Sequence, residues 1–184
     1  DVKVFSKILK HEIPENTVLS HDLLEGSYLR CGLATDIILM DGYPAKYTSF
    51  MNRLSRWIRG DWQIISWLKS NLNTLSKYKI FDNLRRSVFE ISVLMLFLYA
   101  CIYNNIFFSL LSVIIIIYPF ILDWLDIIFS KKEGERKQKT FTLRIEGIKG
   151  AVIRAILTLG CIPYKAYIEL ITIIKTLYRL IVTK

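Results

Sequence analysis

Residues 91 to 122, ISVLMLFLYACIYNNIFFSLLSVIIIIYPFIL, contain no charged side chain. That run limits what the rest of the chain can be. As one straight helix it would extend about 48 Å, well past a hydrocarbon core of about 30 Å. Asn104 and Asn105 stand near its middle, and Asn favours turns. Two helices, roughly Val88 to Tyr103 and Ile106 to Leu122, fit better than one, each near the lower spanning limit of about 17 residues. Lys77, Lys79, Arg85 and Arg86 precede the run, and Lys131, Lys132, Arg136, Lys137 and Lys139 follow it. A hairpin keeps both basic clusters on one side and exposes only the uncharged Asn-Asn tip, as the positive-inside rule favours.

The composition agrees with this. Hydrophobic residues make up 53%, mean hydropathy is +0.36, and the net charge is still +9. Apolarity combined with positive charge points to a membrane protein with a basic cytoplasmic face. The basic residues flank apolar runs and form no separate tail, which argues against nucleic acid as a partner. Cys31, Cys101 and Cys161 lack metal-ligand spacing, and two histidines, His11 and His21, are too few for a His-based metal site. The chain opens DVKVFSKILK, with neither an initiator Met nor signal-peptide architecture, and reads as a piece of something longer.

Before the hairpin, residues 1 to 50 read as globular α/β material. Ser20 is placed to cap a helix carrying Asp22 and Glu25 that stops near Gly26. Thr35 to Leu39 is a short apolar run ending in an Asp41-Gly42 turn, the pattern of a strand. Residues 47 to 69 alternate aromatic and basic positions at helical spacing. Phe50, Leu54, Trp57, Ile58, Ile64, Ile65 and Leu68 make an apolar face, while Trp62 and Trp67 with Arg59 and Lys69 suit a helix resting on a bilayer. The organisation expected is residues 1–70 as the acceptor-side part of a catalytic domain with an interfacial helix, and 71–87 as a basic juxtamembrane segment. Residues 88–129 hold two transmembrane helices, and 130–150 form a basic linker containing KKEGERKQK. Residues 151–184 form amphipathic or membrane-associated helices divided at Pro163. In that last part Lys165, Glu169, Thr172, Lys175, Thr176, Arg179 and Thr183 recur every three or four residues, a narrow polar stripe. The stripe can face anionic headgroups, or the helix can pack against other spans of a longer protein.

The chemistry concentrates in SHDLLEG (20 to 26) and RLSRWIRGDWQ (53 to 63). Inverting transfer from a nucleotide-sugar needs a carboxylate to accept the acceptor hydroxyl's proton. It needs cations for the charge that builds on the diphosphate, and an indole face to hold the acceptor ring. Asp22, the Arg53/Arg56 pair and Trp57 supply those residue types in that order. Each also has a plain structural alternative: an Asp at a helix start caps it, and an Arg/Trp-rich segment anchors to membranes.

The order of an Asp motif, then x-x-x-R-W, then membrane helices resembles the membrane-bound processive glycosyltransferases of the family-2 type, the cellulose and hyaluronan synthase group. IPENTVLSHDLLEG, YLRCGLATDIILMDGYPAKY, RWIRGDWQI and KIFDNLRRS are similar, more particularly, to the glycosyltransferase domain of the cyclic β-1,2-glucan synthases. AILTLGCIPYKAYIELITIIKTLYRLIVTK resembles the segment after that domain. The resemblance implies a mixed, mostly α chain: the C-terminal part of a GT-A-like α/β glycosyltransferase domain, then a transmembrane hairpin and amphipathic helices. Asp22 takes the role of general base, Trp57 of acceptor stacking, and Arg56 of contact with the donor diphosphate. Arg53 replaces the family's Gln and His21 replaces its Glu, while Asp61, Trp62 and Gln63 are implied to line the site.

Partners implied are UDP-glucose, a glucan acceptor and the lipid bilayer of a bacterial inner membrane, with the catalytic part facing the cytoplasm. A divalent cation, Mg or Mn, is implied for the whole enzyme. Its ligands belong to a nucleotide-binding half expected before residue 1, and a phosphorylase-like region is expected after residue 184. Those missing regions of the same protein are themselves implied partners, and alone the 184 residues are expected to be inactive. Two further possibilities stay open from the sequence: another processive β-glycosyltransferase, and a membrane-anchoring module without chemistry.

Overall fold

Apolar side chains at helical spacing dominate the chain, and the computed structural model is accordingly mostly helical. It describes residues 2–14, 17–18, 21–29, 32, 37–129 and 139–183. The helices are α1 (Val2–Glu12), α2 (Asp22–Leu29), α3 (Tyr47–Gln63), α4 (Thr74–Ser87), α5 (Phe89–Ile102), α6 (Ile106–Phe129) and α7 (Lys139–Tyr178). A 3-10 turn, Ile64–Lys69, follows α3, and a π turn, Arg179–Thr183, follows α7. The chain divides into two units, residues 1–88 with 168–184, and residues 89–167.

In the first unit Leu24 of α2, Ile64 and Trp67 of the 3-10 turn, and Ile80 and Leu84 of α4 form one buried cluster. Its α4 members repeat at i and i+4, so a single face of that helix is covered. Asn73 starts α4, its side-chain oxygen accepting from the Ser76 backbone N–H at 2.7 Å. Arg85 and Arg86 close the helix, where cations complement its C-terminal partial charge, and both pair with Asp82. Trp67 therefore belongs to the core and does not lie on a bilayer.

In the C-terminal part of α7 the polar stripe divides between inside and outside. Glu169, Thr172 and Thr176 are buried, whereas Leu170, Ile174, Tyr178, Ile181 and Val182 are exposed. The inward hydroxyls are satisfied close by. Thr172 and Thr176 donate to the carbonyls of Ile168 and Thr172, both at 2.7 Å, and Ser55 of α3 meets Thr172 at 2.9 Å. Glu169, Thr172 and Thr176 of the polar stripe thus face protein, while Lys175 and Arg179 stay exposed.

In the second unit α5 and α6 form a hairpin. Asn104 adopts a left-handed φ of 51°, with its N–H on Cys101 O and the Asn105 N–H on Ala100 O. That is a Schellman stop for α5. The Asn105 side chain then accepts from the Phe108 N–H at 3.3 Å and caps α6. One Asn ends a helix and the next begins another. At about 21 Å, α5 is shorter than the reading of two full spans required. Glu90 at its start pairs with Lys165 of α7. The hairpin tip is apolar and bare, with Ile102, Tyr103, Ile106 and Phe107 all more than three-fifths exposed.

Three further expectations change. Ile37 to Leu39 form no strand; residues 35 and 36 lie outside the described residues, and no strand occurs among those described. A strand exists only through ladder partners, and this segment has none there. Helix α2 runs through Gly26 to Leu29, since Ser27 donates to the Leu23 carbonyl at 2.7 Å and continues the turn; Ser20 lies outside the described residues. α7 begins within the stretch read as linker, of which 130–138 lie outside the described residues, and passes Pro163 unbroken. Proline removes one ladder bond there without ending an apolar helix. By length and apolarity Ala155–Val182 is long enough to cross a bilayer.

The Asn pair gives a direct test. Asn105→Ala is expected to lower stability by about 1 kcal/mol, whereas Asn104→Gly leaves it unchanged or slightly raised. Thermal unfolding of the detergent-solubilised chain followed by circular dichroism reads both.

Candidate functional site

The site begins with a glycine. Gly60 lies one helical turn beyond Arg56 and Trp57 on α3, and its missing side chain makes room for the His21 ring. A Cβ built there would stand 3.2 Å from His21 Cδ2. His21 immediately precedes α2, so this contact seats the start of α2 on α3. His21 Nε2 donates to Asp61 Oδ1 at 3.3 Å, and Asn83 of α4 donates to the same oxygen at 2.7 Å. A carboxylate only accepts, which assigns the proton to Nε2. Nδ1 is buried with no hydrogen-bond partner among the described residues. The backbone N–H of His21 donates to Glu25 Oε1 at 3.2 Å, tying down the same corner. Residues of α2, α3 and α4 are thus linked through His21 and Asp61.

Asp22 is the next residue, the first of α2, and its side chain is exposed. Asp22 makes no side-chain hydrogen bond or ion pair among the described residues. An N-terminal position suits a carboxylate, because the helix's unpaired N–H groups carry partial positive charge. Its neighbour His21 is packed on Gly60 of α3, the helix that carries Arg56 and Trp57. The structure shows no direct contact between the carboxylate and either of those two.

On α3, Arg53 and Trp57 are one turn apart and the guanidinium lies 4.8 Å from the indole centroid. Arg53 also reaches the extended segment before α3, donating to Asp41 Oδ2 at 3.2 Å and to the Gly42 carbonyl at 3.4 Å. Asp41 is almost fully exposed, so that pair contributes at most about 1 kcal/mol. Its effect is orientation, since it holds Arg53 against Trp57. The indole remains 52% exposed, and Arg56 beside it is exposed and unpaired among the described residues. An open indole can hold a sugar ring, a guanidinium can meet an anion, and the exposed Asp22 carboxylate can take up a proton.

The other site residues read from sequence go elsewhere. Trp62 packs against the core, and its indole N–H donates to Ser87 Oγ at 2.9 Å. Gln63 lines a separate cleft with Arg59 and Lys69. Asp61 is mostly buried between His21 and Asn83 and positions them rather than facing solvent. The sequence reading missed Gly60, Asn83 and Ser87. Ser87 was legible: it falls in register with Ser76, Ile80 and Leu84, and a polar residue at the end of a buried stripe calls for a partner. Among the described residues no three His, Cys, Asp or Glu side chains converge as a metal site would require.

No family model matches the chain. Over 94 residues, 50% of its length, it is 49% identical to the cyclic beta-(1,2)-glucan synthase NdvB of Rhizobium meliloti (strain 1021). Half of this chain is similar to part of a glucan synthase. The chain spans about 3% of the length of that relative. The resemblance drawn from the residue patterns to cyclic β-1,2-glucan synthases therefore holds over half the chain.

The structure also accounts for one departure from the wider glycosyltransferase pattern. A Glu in place of His21 would put a second carboxylate against Asp61, in a corner that water barely reaches. His21→Glu is expected to cost on the order of 2–3 kcal/mol, from a buried unpaired charge and a lost donor. Asp61→Asn in the same chain should restore most of the loss, giving a coupling above about 1 kcal/mol in a double-mutant cycle read by thermal unfolding. Additive effects would show that the two side chains do not meet.

Proposed function

We propose that this chain forms the acceptor side of a membrane glycosyltransferase that transfers glucose from UDP-glucose to a growing β-1,2-glucan with inversion. The observation that carries the reading is the exposed Trp57, braced on one side by Arg53 and flanked by Arg56, which is unpaired among the described residues, on the helix that seats His21, the residue before Asp22. The similarity to a glucan synthase supports the class of reaction.

In this reading the open face of Trp57 takes the terminal glucose of the acceptor, through apolar and CH–π contact. Asp22 accepts the proton of the attacking hydroxyl as its oxygen bonds to the anomeric carbon. The glycosidic bond to the diphosphate breaks on the opposite side, and Arg56 stabilises the charge left on the phosphate oxygens. A divalent cation, Mg or Mn, belongs to the reading as a group held by a nucleotide-binding half elsewhere in the longer protein. No step above runs through it. Helices α2 and α3 would then be the acceptor edge of a GT-A-like α/β domain. Ile37, Ile38, Leu39 and Met40 favour this, since each is between 64% and 96% exposed, as an apolar strand deprived of its sheet would be.

The bilayer is the second part of the proposal. The α5–α6 hairpin would enter a bacterial inner membrane tip first, keeping the basic clusters at 77–86 and 131–139 on the cytoplasmic side however deep it reaches. The outward apolar face of α7 would lie against lipid or neighbouring spans.

Asp22→Asn in the full-length protein is expected to abolish glucan synthesis by at least about 10³-fold, with unchanged membrane insertion. Trp57→Ala is expected to raise KM for acceptor glucan more than it lowers kcat. Incorporation of labelled glucose in membrane preparations measures both. Unchanged synthesis in Asp22→Asn would contradict an enzymatic role for this site and leave membrane anchoring as the function. Linkage analysis of the product separates β-1,2 from other processive transferases.

A further inference from the structure

The first unit contains a cleft that the proposed transfer leaves unused. It encloses about 1360 Å³ and lies between the ends of α1 and α3, the segment leading into α4, and the last turns of the C-terminal helix. Arg59, Lys69 and Arg179 line it from three different elements, and Glu12 is the one carboxylate that lines it among the described residues. The three cations are exposed, and none makes an ion pair or hydrogen bond among the described residues. Like charges converge on an open space only at an electrostatic cost, which a bound anion removes.

What borders the cleft selects the anion. Leu180 lines it beside Arg179, and Tyr178, Ile181 and Val182 continue outward from the same turn, all more than three-fifths exposed. A soluble nucleotide would use the cations and leave this apolar flank in water. A phospholipid would cover both. We infer that the cleft formed by Arg59, Lys69 and Arg179 binds the phosphate headgroup of an anionic phospholipid, whose acyl chains lie along the outward face of α7. This rests on the membrane location proposed above.

The site fixes the depth of the first unit at the bilayer surface. Arg guanidinium groups bind phosphate oxygens in a two-pronged manner, and the Lys69 ammonium adds a third contact. Arg59 is two residues beyond Trp57 on α3, so a headgroup held there sets the height of the acceptor platform above the membrane.

The test uses the full-length protein in neutral detergent. Phosphatidylglycerol or phosphatidylcholine is titrated in mixed micelles while the thermal unfolding midpoint is followed. Phosphatidylglycerol is expected to raise the midpoint and phosphatidylcholine to leave it unchanged. The triple variant Arg59→Gln/Lys69→Gln/Arg179→Gln should need at least about tenfold more phosphatidylglycerol for the same shift. Arg59→Lys/Arg179→Lys keeps the charge and should retain most of it. Lys3→Gln/Lys7→Gln/Lys10→Gln removes three exposed cations of α1 outside the cleft and should behave as the parent. A triple cleft variant that still responds fully, or a parent that responds equally to phosphatidylcholine, overturns the proposal. So does an equal shift from inorganic pyrophosphate in the absence of anionic lipid, which would assign the cleft to a soluble phosphate. Cosedimentation with phosphatidylcholine vesicles reads the membrane location separately; binding there without a phosphatidylglycerol effect overturns the headgroup site alone.

Discussion

An imidazole packed onto a glycine decides where the rest of the candidate site stands. His21 occupies the space that a side chain at residue 60 would fill, and Asp61, itself bonded by Asn83, holds its Nε2 edge. Because Asp22 follows His21 directly, the start of α2 that carries it is fixed on α3 through His21. The arrangement needs small, polar and buried residues at once, a combination that favours a fixed geometry over maximal stability. Trp57 and Arg56 stand on the same helix, one turn before Gly60, with Arg53 bracing the indole.

The second governing constraint is the solvent each helix meets. In water the polar stripe of α7 would turn outward. Here Glu169, Thr172 and Thr176 turn inward and Leu170, Ile174 and Tyr178 turn outward, which fits the proposed position of this face against lipid or neighbouring spans. The bare aromatic tip of the α5–α6 hairpin follows the same logic. Threonine suits this inversion, because its hydroxyl can be satisfied on the carbonyl one turn earlier and so demands little of the neighbouring helix.

Local chemistry was legible in the sequence and long-range placement was not. Asn104-Asn105 announced a turn, and the two residues serve as stop and cap because Asn tolerates a positive φ and accepts hydrogen bonds. The spacing of Arg53 and Trp57 by one turn made their contact readable. Trp62 and Trp67, by contrast, looked like interfacial anchors beside Arg59 and Lys69, and their burial depends on α4, which no local pattern reveals. Periodicity located the stripe on α7 but cannot say which face is inside. The Thr35 to Leu39 pattern read as a strand, yet a strand's existence rests on partners, and sequence spacing supplies none.

The central claim is that Trp57, and not Trp62, lies beside the sugar. It is tested most directly by photocrosslinking in the full-length protein. A photoreactive phenylalanine placed at position 57 or at position 62 would be irradiated during synthesis from labelled UDP-glucose. The proposed site requires labelled glucan on the position-57 variant and little on the position-62 variant, whose side chain is held against Ser87 in the core. Labelling at 62 and none at 57 would contradict the account.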